Sequence, residues 1–506
     1  MLLHQDFISV AKQHGNKIAI YDQATDKEIS YNKMLIVSLI LSKKFSKYKG
    51  KYLGIMIPTS AGCMLSTIAA LMCGKIPVMI NYATGARENA IYAQEKCSFQ
   101  TIITSKKLLE KIKVEPVEGM IFLEDIVESL SIFDKLGAAI KSKFSASAIQ
   151  SFVHKGSEED DAVILFTSGS EKEPKAVQLS HKNIFHNLYA IPKVIDVKDD
   201  DVFGGTLPLF HVFGLTATFW FPLTQGLSIV AHANPLDFKA ICTSIKKYKI
   251  SILIGTPAFY FGYLKKSKPG DFKSIRYALA GADKVTDQLR KAFKEKHDLE
   301  ILEGYGTTET SPVISLNVPG ANKPGSIGKP LPGVRVKIVD RETGKELSTN
   351  KEGKILVKGD LVMTGYLGDL EETSLRIRDG WYDTGDIGVL DKDGFLWHKG
   401  RLRRFVKIGG EMISLVRVEN ILEKLLPDES VCCVVDVPNP KKGAEIVAAV
   451  TTKEINKKQI QKQLAKELPA IAVPKEIYVI EDIPMMGSGK VNFREVEKIC
   501  REKQNH

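Results

Sequence analysis

The stretch AVILFTSGSEKEPKAVQLSHKNIFHN, residues 162–187, sets an apolar run, a loop of small and charged residues and a helix-like segment in direct succession. The run AVILF predicts a buried strand, and HKNIFHN predicts a helix. Hydroxyl residues and glycine let backbone N–H groups wrap phosphate oxygens, and Lys175 adds a positive charge. Pro174 stands where a Walker A loop has glycine, which excludes that loop type. On the residues alone, a Ser/Gly turn before a helix is more often an ordinary strand-to-helix connection than a phosphate site.

Strand and helix patterns alternate on both sides of this stretch. Tyr31–Phe45 predicts a helix, Tyr52–Met56 a buried strand, residues 63–72 a second helix and residues 76–80 a second strand. The rhythm continues in three short apolar strands, LSIVA (227–231), SILIG (251–255) and RYALA (276–280). It predicts an α/β fold of mainly parallel sheets covered by helices.

Two changes of pattern divide the rest of the chain. Between about residues 330 and 400, short strands and turns such as VRVKIVD and GFLWHKG predict a small β-rich, barrel-like subdomain. From residue 402 onward, strands at VCCVVDV, EIVAAVTT and EIYVI alternate with helices at KKQIQKQLAKEL and from Asn492. We therefore predict an amino-terminal body at 1–401 and a small α+β carboxy-terminal domain at 402–506.

Composition narrows the class of protein. The chain has 506 residues, of which 44% are hydrophobic and 26% charged, with 39 Gly and 21 Pro, and this argues against disorder, collagen and coiled coil. The net charge of +11 suits a nucleotide, an acidic carrier protein, nucleic acid or an anionic membrane surface, and it equally suits solubility alone. The densest charge run, which predicts a solvated face, comprises Lys43, Lys44, Lys47, Lys49 and Lys51.

The cysteines and the uncharged stretches indicate in which cellular compartment the protein is expected and whether it spans a membrane. Seven cysteines without a C-x-x-C pair fit neither a zinc ribbon nor a disulfide framework, and they predict a reducing cytosol. The first fifteen residues lack the pattern of a secretory signal. Residues 53–74 and 202–236 carry no acidic or basic side chain other than histidine, but Pro and Gly interrupt both, which predicts buried elements rather than membrane spans. The second stretch also suits the wall of an apolar ligand site.

Three further motifs contain residue types that suit a nucleotide: EGYGTTE (303–309), WYDTGD (381–386) and GSGK (487–490). Glycines in the first let an aromatic ring approach a planar base, and Glu309 suits Mg²⁺. In the second, Asp386 can accept hydrogen bonds from both ribose hydroxyls, with Arg401 close behind in the sequence. In the third, Lys490 supplies a point charge. A capped turn, a hairpin and a surface lysine are the alternatives for each in turn.

The order and spacing of these motifs, together with PLFHVFG (208–214) and GRLRRFVKIGGE (400–411), resemble the adenylate-forming superfamily over essentially the whole chain. That superfamily contains acyl-CoA synthetases, luciferases and peptide-synthetase adenylation domains. Within it, PVMINYATG (77–85) and GRLRRFVKIGGEMISL (400–415) resemble the synthetase portion of 2-acylglycerophosphoethanolamine acyltransferase/acyl-[acyl-carrier-protein] synthetases. Since residues 1–150 resemble the synthetase body, we expect a stand-alone synthetase without the fused acyltransferase domain of that family.

The resemblance implies a two-step reaction that uses ATP and Mg²⁺. A fatty carboxylate attacks the α-phosphate, expels pyrophosphate and forms an acyl-adenylate, from which a phosphopantetheine thiol then displaces AMP. We expect acyl-carrier protein as the acceptor, with coenzyme A as the alternative and a non-catalytic acyl or nucleotide sensor as a third possibility. We expect no nucleic-acid partner and a cytoplasmic location, with attachment to the inner membrane surface left open.

The resemblance also implies the nucleotide-binding residues. The cradle of the β- and γ-phosphates comprises Thr167, Ser168, Gly169, Ser170 and Lys175. The adenine is lined by Tyr305, Gly306 and Thr307 on one face and by Gly281 and Ala282 on the other. Thr308 touches the α-phosphate, and Asp386 binds the ribose with Arg401 alongside.

The implied catalytic residues are Lys490, Glu309, His211 and Lys407. Lys490 bridges the carboxylate and the α-phosphate during adenylation, Glu309 holds Mg²⁺, and His211 lies at the carboxylate entrance of the acyl pocket. Arg403 marks a hinge about which the small domain exchanges Lys490 for the Lys407 segment in the thioester step. The phosphate loop departs from the superfamily pattern at two positions that usually hold glycine, Lys172 and Ala176.

Overall fold

The computed structural model describes residues 1–167, 174–408, 411–427, 430–439, 443–452, 455–486 and 490–504. The strands are β1 Ile18–Asp22, β2 Lys27–Ser30, β3 Tyr52–Met56, β4 Ile76–Met79, β5 Ile102–Thr104, β6 Met120–Phe122, β7 Asp161–Phe166, β8 Ala176–Ser180, β9 Val202–Gly205, β10 Ser228–Ala231, β11 Ile252–Gly255, β12 Tyr277–Ala280, β13 Ile301–Gly306, β14 Val313–Leu316, β15 Lys329–Pro330, β16 Arg335–Val339, β17 Glu352–Lys358, β18 Gly365–Tyr366, β19 Ile377–Arg378, β20 Trp381–Leu390, β21 Leu396–Arg401, β22 Phe405–Ile408, β23 Glu411–Ser414, β24 Cys432–Asn439, β25 Gly443–Val450 and β26 Glu476–Val479. The α-helices are α1 Leu3–His14, α2 Tyr31–Phe45, α3 Ala61–Met72, α4 Ala86–Cys97, α5 Lys106–Ile112, α6 Leu123–Glu128, α7 Ile132–Lys141, α8 Ala146–Phe152, α9 His181–Ala190, α10 Phe221–Thr224, α11 Phe238–Lys247, α12 Pro257–Lys266, α13 Asp287–His297, α14 Leu370–Arg376, α15 Leu415–Glu423, α16 Lys457–Glu467 and α17 Phe493–Gln504.

The described residues form two compact units. The larger contains residues 1–167, 174–335 and 358–382, and the smaller contains residues 336–357 and the described part of 383–504. The chain passes from one unit to the other within strands β16, β17 and β20. This α/β architecture, with a large amino-terminal body and a small carboxy-terminal domain, confirms the predicted fold class. The division after residue 401 stays a prediction, because residues 383–401 group with the smaller unit.

Two sheets form the larger unit. One has nine strands in the order β15-β14-β13-β12-β11-β9-β10-β1-β2, and its six strands from β13 to β1 run parallel. The other has seven strands in the order β18-β8-β7-β4-β3-β5-β6, in which only β8 and β18 run antiparallel to their neighbours. Strand β3 is predicted to the residue because its apolar side chains are buried on both faces, as parallel sheets require.

Side-chain caps mark the first residues of two helices that the sequence predicts. The Ser30 hydroxyl accepts a hydrogen bond from the Lys33 amide and starts α2 at the residue that the sequence predicts. Ser180 and Asn183 form a reciprocal capping box at the start of α9, which confirms the predicted helix HKNIFHN. The sequence interpretation missed β8, a short antiparallel strand between the phosphate loop and α9.

The smaller unit contains the sheet of β16, β17, β20 and β21, the hairpin β22–β23 and a three-stranded sheet, β24-β25-β26. The three-stranded sheet is covered on both faces because neighbouring residues of β24 point in opposite directions. Val434 packs with α15 and α16 through Val418 and Leu464, whereas Cys433 packs with Val496 of α17. This confirms the strands and helices predicted after residue 430.

No helix in the described part of the chain is long and apolar enough to cross a membrane. The uncharged stretch 202–236 forms β9, a π-helical segment Gly214–Trp220, α10 and β10. All seven residues of Gly214–Trp220 are buried, so this segment lies in the core of the larger unit.

Candidate active site

The two ends of the phosphate loop are held together by hydrogen bonds. The Thr167 amide donates to the Lys175 carbonyl oxygen at 3.0 Å, and the Lys175 amide donates to Thr167 Oγ1 at 3.0 Å. These bonds extend the antiparallel pairing of β7 and β8 by one step. The predicted cradle residues Ser168, Gly169 and Ser170 lie outside the described residues. Thr167 and Lys175 therefore stand side by side at the carboxyl end of β7.

The side chain of Lys175 has an anionic partner within the larger unit. Its Nζ forms an ion pair with Glu372 of α14, and it lies 4.9 Å from the centre of the Tyr366 ring. Arg376 Nε also donates to Glu372, at 3.0 Å. Burial opposes ionisation of Glu372, but the hydrogen bonds from Lys175 and Arg376 hold its pKa below the ordinary value. Glu372 is thus an ionised carboxylate in direct contact with the phosphate-loop lysine.

Tyr366 connects Lys175 to Glu309. Its hydroxyl donates to Glu309 Oε1 at 2.9 Å, and the Glu309 carbonyl accepts from the Met363 amide at 2.8 Å. Burial and the charge of Glu309 raise the pKa of Tyr366, so its hydroxyl remains a donor throughout the physiological range. The predicted phosphate-binding residue Lys175 and the predicted metal-binding residue Glu309 therefore both contact Tyr366.

The turn after β13 is shaped by close backbone packing. A side chain on Gly306 would collide with the carbonyl of Pro312, so only glycine fits at this position. Thr307 and Thr310 form a reciprocal cap, with the Thr307 amide donating to Thr310 Oγ1 at 3.0 Å. The cap fixes the backbone of the turn that contains Thr308 and Glu309. Tyr305, which precedes the turn, is half-buried.

Gly281 and Ala282 lie next to this turn because β12 and β13 are parallel neighbours whose carboxyl ends meet at one edge of the sheet. A Cβ atom on Gly281 would lie 3.1 Å from the ring of Phe213 and 3.5 Å from the Gly304 carbonyl oxygen. Ala282 has a φ of +72°, a turn conformation that side chains rarely adopt. The structure thus brings both predicted residues to the edge that carries residues 304–309.

His211 belongs to the loop that carries Phe213 to this edge. Its ring centre lies 4.5 Å from that of Phe210, and its carbonyl accepts from the Leu215 amide at 2.9 Å. The imidazole is half-buried and precedes the wholly buried segment Gly214–Trp220. His211 therefore sits where a polar edge meets an apolar interior.

Asp386 and Arg401 face each other within the smaller unit. They are directly opposite in the antiparallel pair β20–β21, and Arg401 Nε lies 3.2 Å from Asp386 Oδ1. His398 Nε2 lies 3.6 Å from the same oxygen. The Asp386 side chain is only 2% exposed, so its carboxylate lies beside the Arg401 guanidinium in a place shielded from solvent.

The remaining predicted residues also belong to the smaller unit. The Met486 amide donates to the Lys490 carbonyl at 2.7 Å, Met485 pairs with Val491, and Lys490 is half-buried. The backbone of Arg403 lies in a single 3₁₀ turn, and that of Lys407 lies in β22. Their side chains are outside the described part of the chain, as are Gly409 and Gly410.

Comparison with known proteins decides the family. The AMP-binding enzyme pattern matches residues 7–367, and the pattern of the AMP-binding enzyme C-terminal domain matches residues 417–490. The chain belongs to the AMP-binding enzyme family. Its chemistry is that of an AMP-forming ligase, which activates an acid with ATP and joins it to a thiol.

Relatives agree with this class. The chain is 33% identical over 361 residues to a long-chain-fatty-acid–CoA ligase of Bacillus subtilis, a match that spans 69% of this chain and 63% of that enzyme. It is 30% identical over 440 residues to an oxalate–CoA ligase of Arabidopsis thaliana, spanning 83% and 84% of the two chains. ATP-bound MatB from Rhodopseudomonas palustris has the same fold, with a TM-score of 0.86 and 23% identity over 99% of this chain and 100% of that one.

The described residues are compatible with the Mg²⁺ that the family implies. Among them there is no group of three or more His, Cys, Asp or Glu side chains that could hold a metal ion. Magnesium in nucleotide sites is usually held by one or two carboxylates, water and the phosphates themselves. The single carboxylate of Glu309, oriented by the Tyr366 hydroxyl, meets that requirement.

Sequence reasoning missed Tyr366 and Glu372. Tyr366 is separated from Glu309 by 57 positions, and Glu372 from Lys175 by 197. Neither residue lies in a motif with recognisable nucleotide chemistry. Their contribution depends on the antiparallel pairing of β18 with β8, which places Tyr366 opposite Val177.

We expect Glu372→Gln to lower KM for ATP by about threefold to tenfold, because the carboxylate competes with phosphate oxygens for Lys175. Steady-state pyrophosphate release at varied ATP measures the effect. Glu371→Gln is the matched control, since it removes the same charge from the neighbouring exposed position of α14. A rise in KM for Glu372→Gln would instead mean that Glu372 orients Lys175 for ATP.

Proposed function

We propose that the protein is a fatty acid ligase that forms an acyl-adenylate and transfers the acyl group to the phosphopantetheine thiol of acyl-carrier protein. The main support for the adenylation step is that Tyr366 contacts both Lys175 and Glu309. Through Tyr366, a lysine proposed to bind phosphate lies close to a carboxylate that suits Mg²⁺. The chain also belongs to a family whose members activate acids with ATP.

In this proposal the chain works by positioning and by charge stabilisation. Lys175 and the loop from Thr167 to Ser170 hold the β- and γ-phosphates, and Thr308 contacts the α-phosphate. Tyr305, Gly306 and Thr307 line one face of the adenine, and Gly281 and Ala282 the other. Mg²⁺, bound to Glu309 and the phosphates, would neutralise part of the charge that develops as pyrophosphate leaves.

The smaller unit would contribute the ribose and catalytic contacts. Asp386 accepts hydrogen bonds from the ribose hydroxyls, with Arg401 beside it. Lys490 bridges the carboxylate and the α-phosphate during adenylation, and the segment of Lys407 serves thioester formation after rotation about Arg403.

The acid is proposed to be long-chained and apolar. The support is the buried segment Gly214–Trp220, which begins three residues after His211 and contains no charged side chain. His211 would stand at the polar entrance for the carboxylate, and the tail would pass into the apolar interior. Similarity to a long-chain-fatty-acid–CoA ligase of Bacillus subtilis points in the same direction.

Acyl-carrier protein is proposed as the acceptor because carrier proteins are acidic and this chain has a net charge of +11. The sequence resemblance to acyl-[acyl-carrier-protein] synthetases adds to that argument. Coenzyme A is the second candidate, since the relatives named above are CoA ligases. The free state of all seven cysteines and the proposed substrates support a cytoplasmic location as part of this proposal.

The test measures pyrophosphate release with ATP and saturated acids from octanoate to octadecanoate, followed by the fate of the acyl group. We expect acid-dependent release and an acylation shift of holo acyl-carrier protein on a gel. The apo carrier protein, which lacks the thiol, is the control. Acyl-CoA formation without carrier acylation would overturn the acceptor, and absence of release with every acid would overturn the ligase.

A further inference from the structure

Helix α7 turns an apolar face to solvent. Ile132, Phe133, Leu136 and Ile140 are 72%, 85%, 54% and 61% exposed. Their spacing places all four on one side of the helix. In a surface helix of a globular protein this face normally points into the core, so α7 is oriented the opposite way.

The orientation of α7 is fixed by its other face. Asp134 receives Lys43 Nζ at 3.0 Å and Lys44 Nζ at 3.2 Å from the end of α2, and Ala138 is buried. Ser131 and Asp134 form a reciprocal capping box at the amino end. The hydrogen bond from Lys43, followed by those from Ser131 and Lys44, lowers the pKa of Asp134, so this anchor stays ionised. Helix α7 therefore packs on the rest of the larger unit through the side that carries Asp134 and Ala138, and its apolar side faces solvent.

The exposed apolar surface continues beyond α7. Phe144 and Phe152 are also exposed, and their ring centres lie 6.1 Å apart. Fifteen large apolar side chains are exposed in the described part of the chain, and seven of them lie between residues 127 and 152. Such concentration is typical of an interaction surface, since scattered apolar side chains need no explanation but contiguous ones do.

Positive charge borders this surface. Lys135 and Lys141 project on opposite sides of the apolar face of α7, and Lys143 and Lys155 follow on the same segment. Between residues 131 and 155 the only acidic residue is Asp134, which is already paired with two lysines. The partner should therefore be apolar in its interior and anionic at its surface.

We propose that this surface docks the protein on an anionic lipid bilayer. The α7 surface is defined by its exposed apolar side chains and two flanking lysines, Ile132, Phe133, Leu136, Ile140, Phe144, Phe152, Lys135 and Lys141. An apolar helix face flanked by lysines lies at the boundary of headgroups and acyl chains, where the rings enter the acyl region and the ammonium groups meet phosphates.

Two other occupants fit less well. In a symmetric contact with a second copy, the lysines that flank both α7 surfaces would meet one another and repel. The apolar side chains form a ridge rather than a pocket. A folded acidic protein would need a matching groove, whereas acyl chains deform around a ridge.

The experiment sediments the full chain with vesicles of phosphatidylglycerol and phosphatidylcholine, or of phosphatidylcholine alone. We expect binding to the anionic vesicles that weakens as salt increases. Phe133→Ser should reduce the partition coefficient about tenfold. Lys135→Gln/Lys141→Gln should reduce it by about tenfold or more and flatten the salt dependence.

Matched controls come from exposed positions elsewhere in the larger unit. Tyr189→Ser, at a side chain of α9 that is 48% exposed, and Lys246→Gln/Lys247→Gln on α11 should bind as the wild type does. Thermal unfolding of each variant checks the fold, since all of these side chains are exposed. Pyrophosphate release with octanoate, a soluble acid, should be the same for all variants, which separates this inference from the proposed function.

Three results would overturn the proposal. One is absence of wild-type binding to anionic vesicles at low salt, and another is equal binding by Phe133→Ser. The third is loss on Phe133→Ser of a concentration-dependent dimer, or of a complex with acidic carrier protein, in a chain that does not bind vesicles. That result would assign the α7 surface to a protein partner.

Discussion

Replacing Lys490 by alanine should lower acid-dependent pyrophosphate release by a factor of about 100 or more. In the proposed reaction its ammonium group lies against the carboxylate and the α-phosphate, where negative charge increases in the transition state. Thioester formation from supplied acyl-adenylate should continue near the wild-type rate, because that half-reaction uses the segment of Lys407 instead. Single-turnover assays of the two half-reactions measure the difference.

Lys498→Ala is the control for that variant. Lys498 is an exposed lysine of α17 in the same unit, so its removal changes the net charge equally. It should alter neither half-reaction. Equal loss of both half-reactions in Lys490→Ala would contradict the exchange of lysines between the two steps, whereas unchanged adenylation would remove Lys490 from the catalytic residues.

Asp386→Asn should lower kcat/KM for ATP by about 10- to 100-fold and reduce the preference for ATP over 2′-deoxyATP. The buried carboxylate, held by Arg401, can accept hydrogen bonds from both ribose hydroxyls. An asparagine retains only one acceptor oxygen and no charge. Comparison of the two nucleotides in the pyrophosphate assay isolates the ribose contact from general loss of affinity.

Asp383→Asn provides the matched change in the same strand. Asp383 lies three positions earlier in β20 and receives Lys354 Nζ at 2.9 Å, so it also loses an ion pair on substitution. It should keep the wild-type preference for ATP. If Asp386→Asn discriminates between the nucleotides as well as the wild type does, the ribose assignment is wrong. Thermal unfolding of both variants checks that the Arg401 pair is not needed for folding.

The sequence predicts helices and strands well where a local signal, such as a cap or a continuous apolar run, sets their bounds. Helix α2 and strand β3 have the predicted bounds, because a Ser30 cap and continuous apolar residues are local signals. The short strand β8 is missed, since its AVQLS sequence contains no clear alternation and follows a loop that reads as leading directly into a helix. Its pairing with β7 depends on residues that close the phosphate loop, which no local pattern displays.

In the candidate site too, residues that belong to local motifs are predicted from the sequence, whereas residues that act through distant contacts are missed. Thr167, Lys175 and Glu309 are found from motifs whose residue types fit phosphate and metal. Tyr366 and Glu372 are not, because each acquires its role through a contact between distant parts of the chain. The inverted orientation of α7 is also hidden, since its amphipathic pattern alone would predict that the apolar face is buried.

The anchoring of α7 has a thermodynamic consequence. Short amphipathic peptides are largely unfolded in water and must form their helix as they enter a membrane, which offsets much of the gain from burying apolar side chains. In α7 the cap by Ser131 and the ion pairs of Asp134 hold the helix in water beforehand. The loss of conformational entropy that accompanies helix formation therefore occurs when the chain folds and not when it binds the membrane. Adsorption would then involve no change in helix content, and a short apolar face would suffice for rapid, reversible attachment.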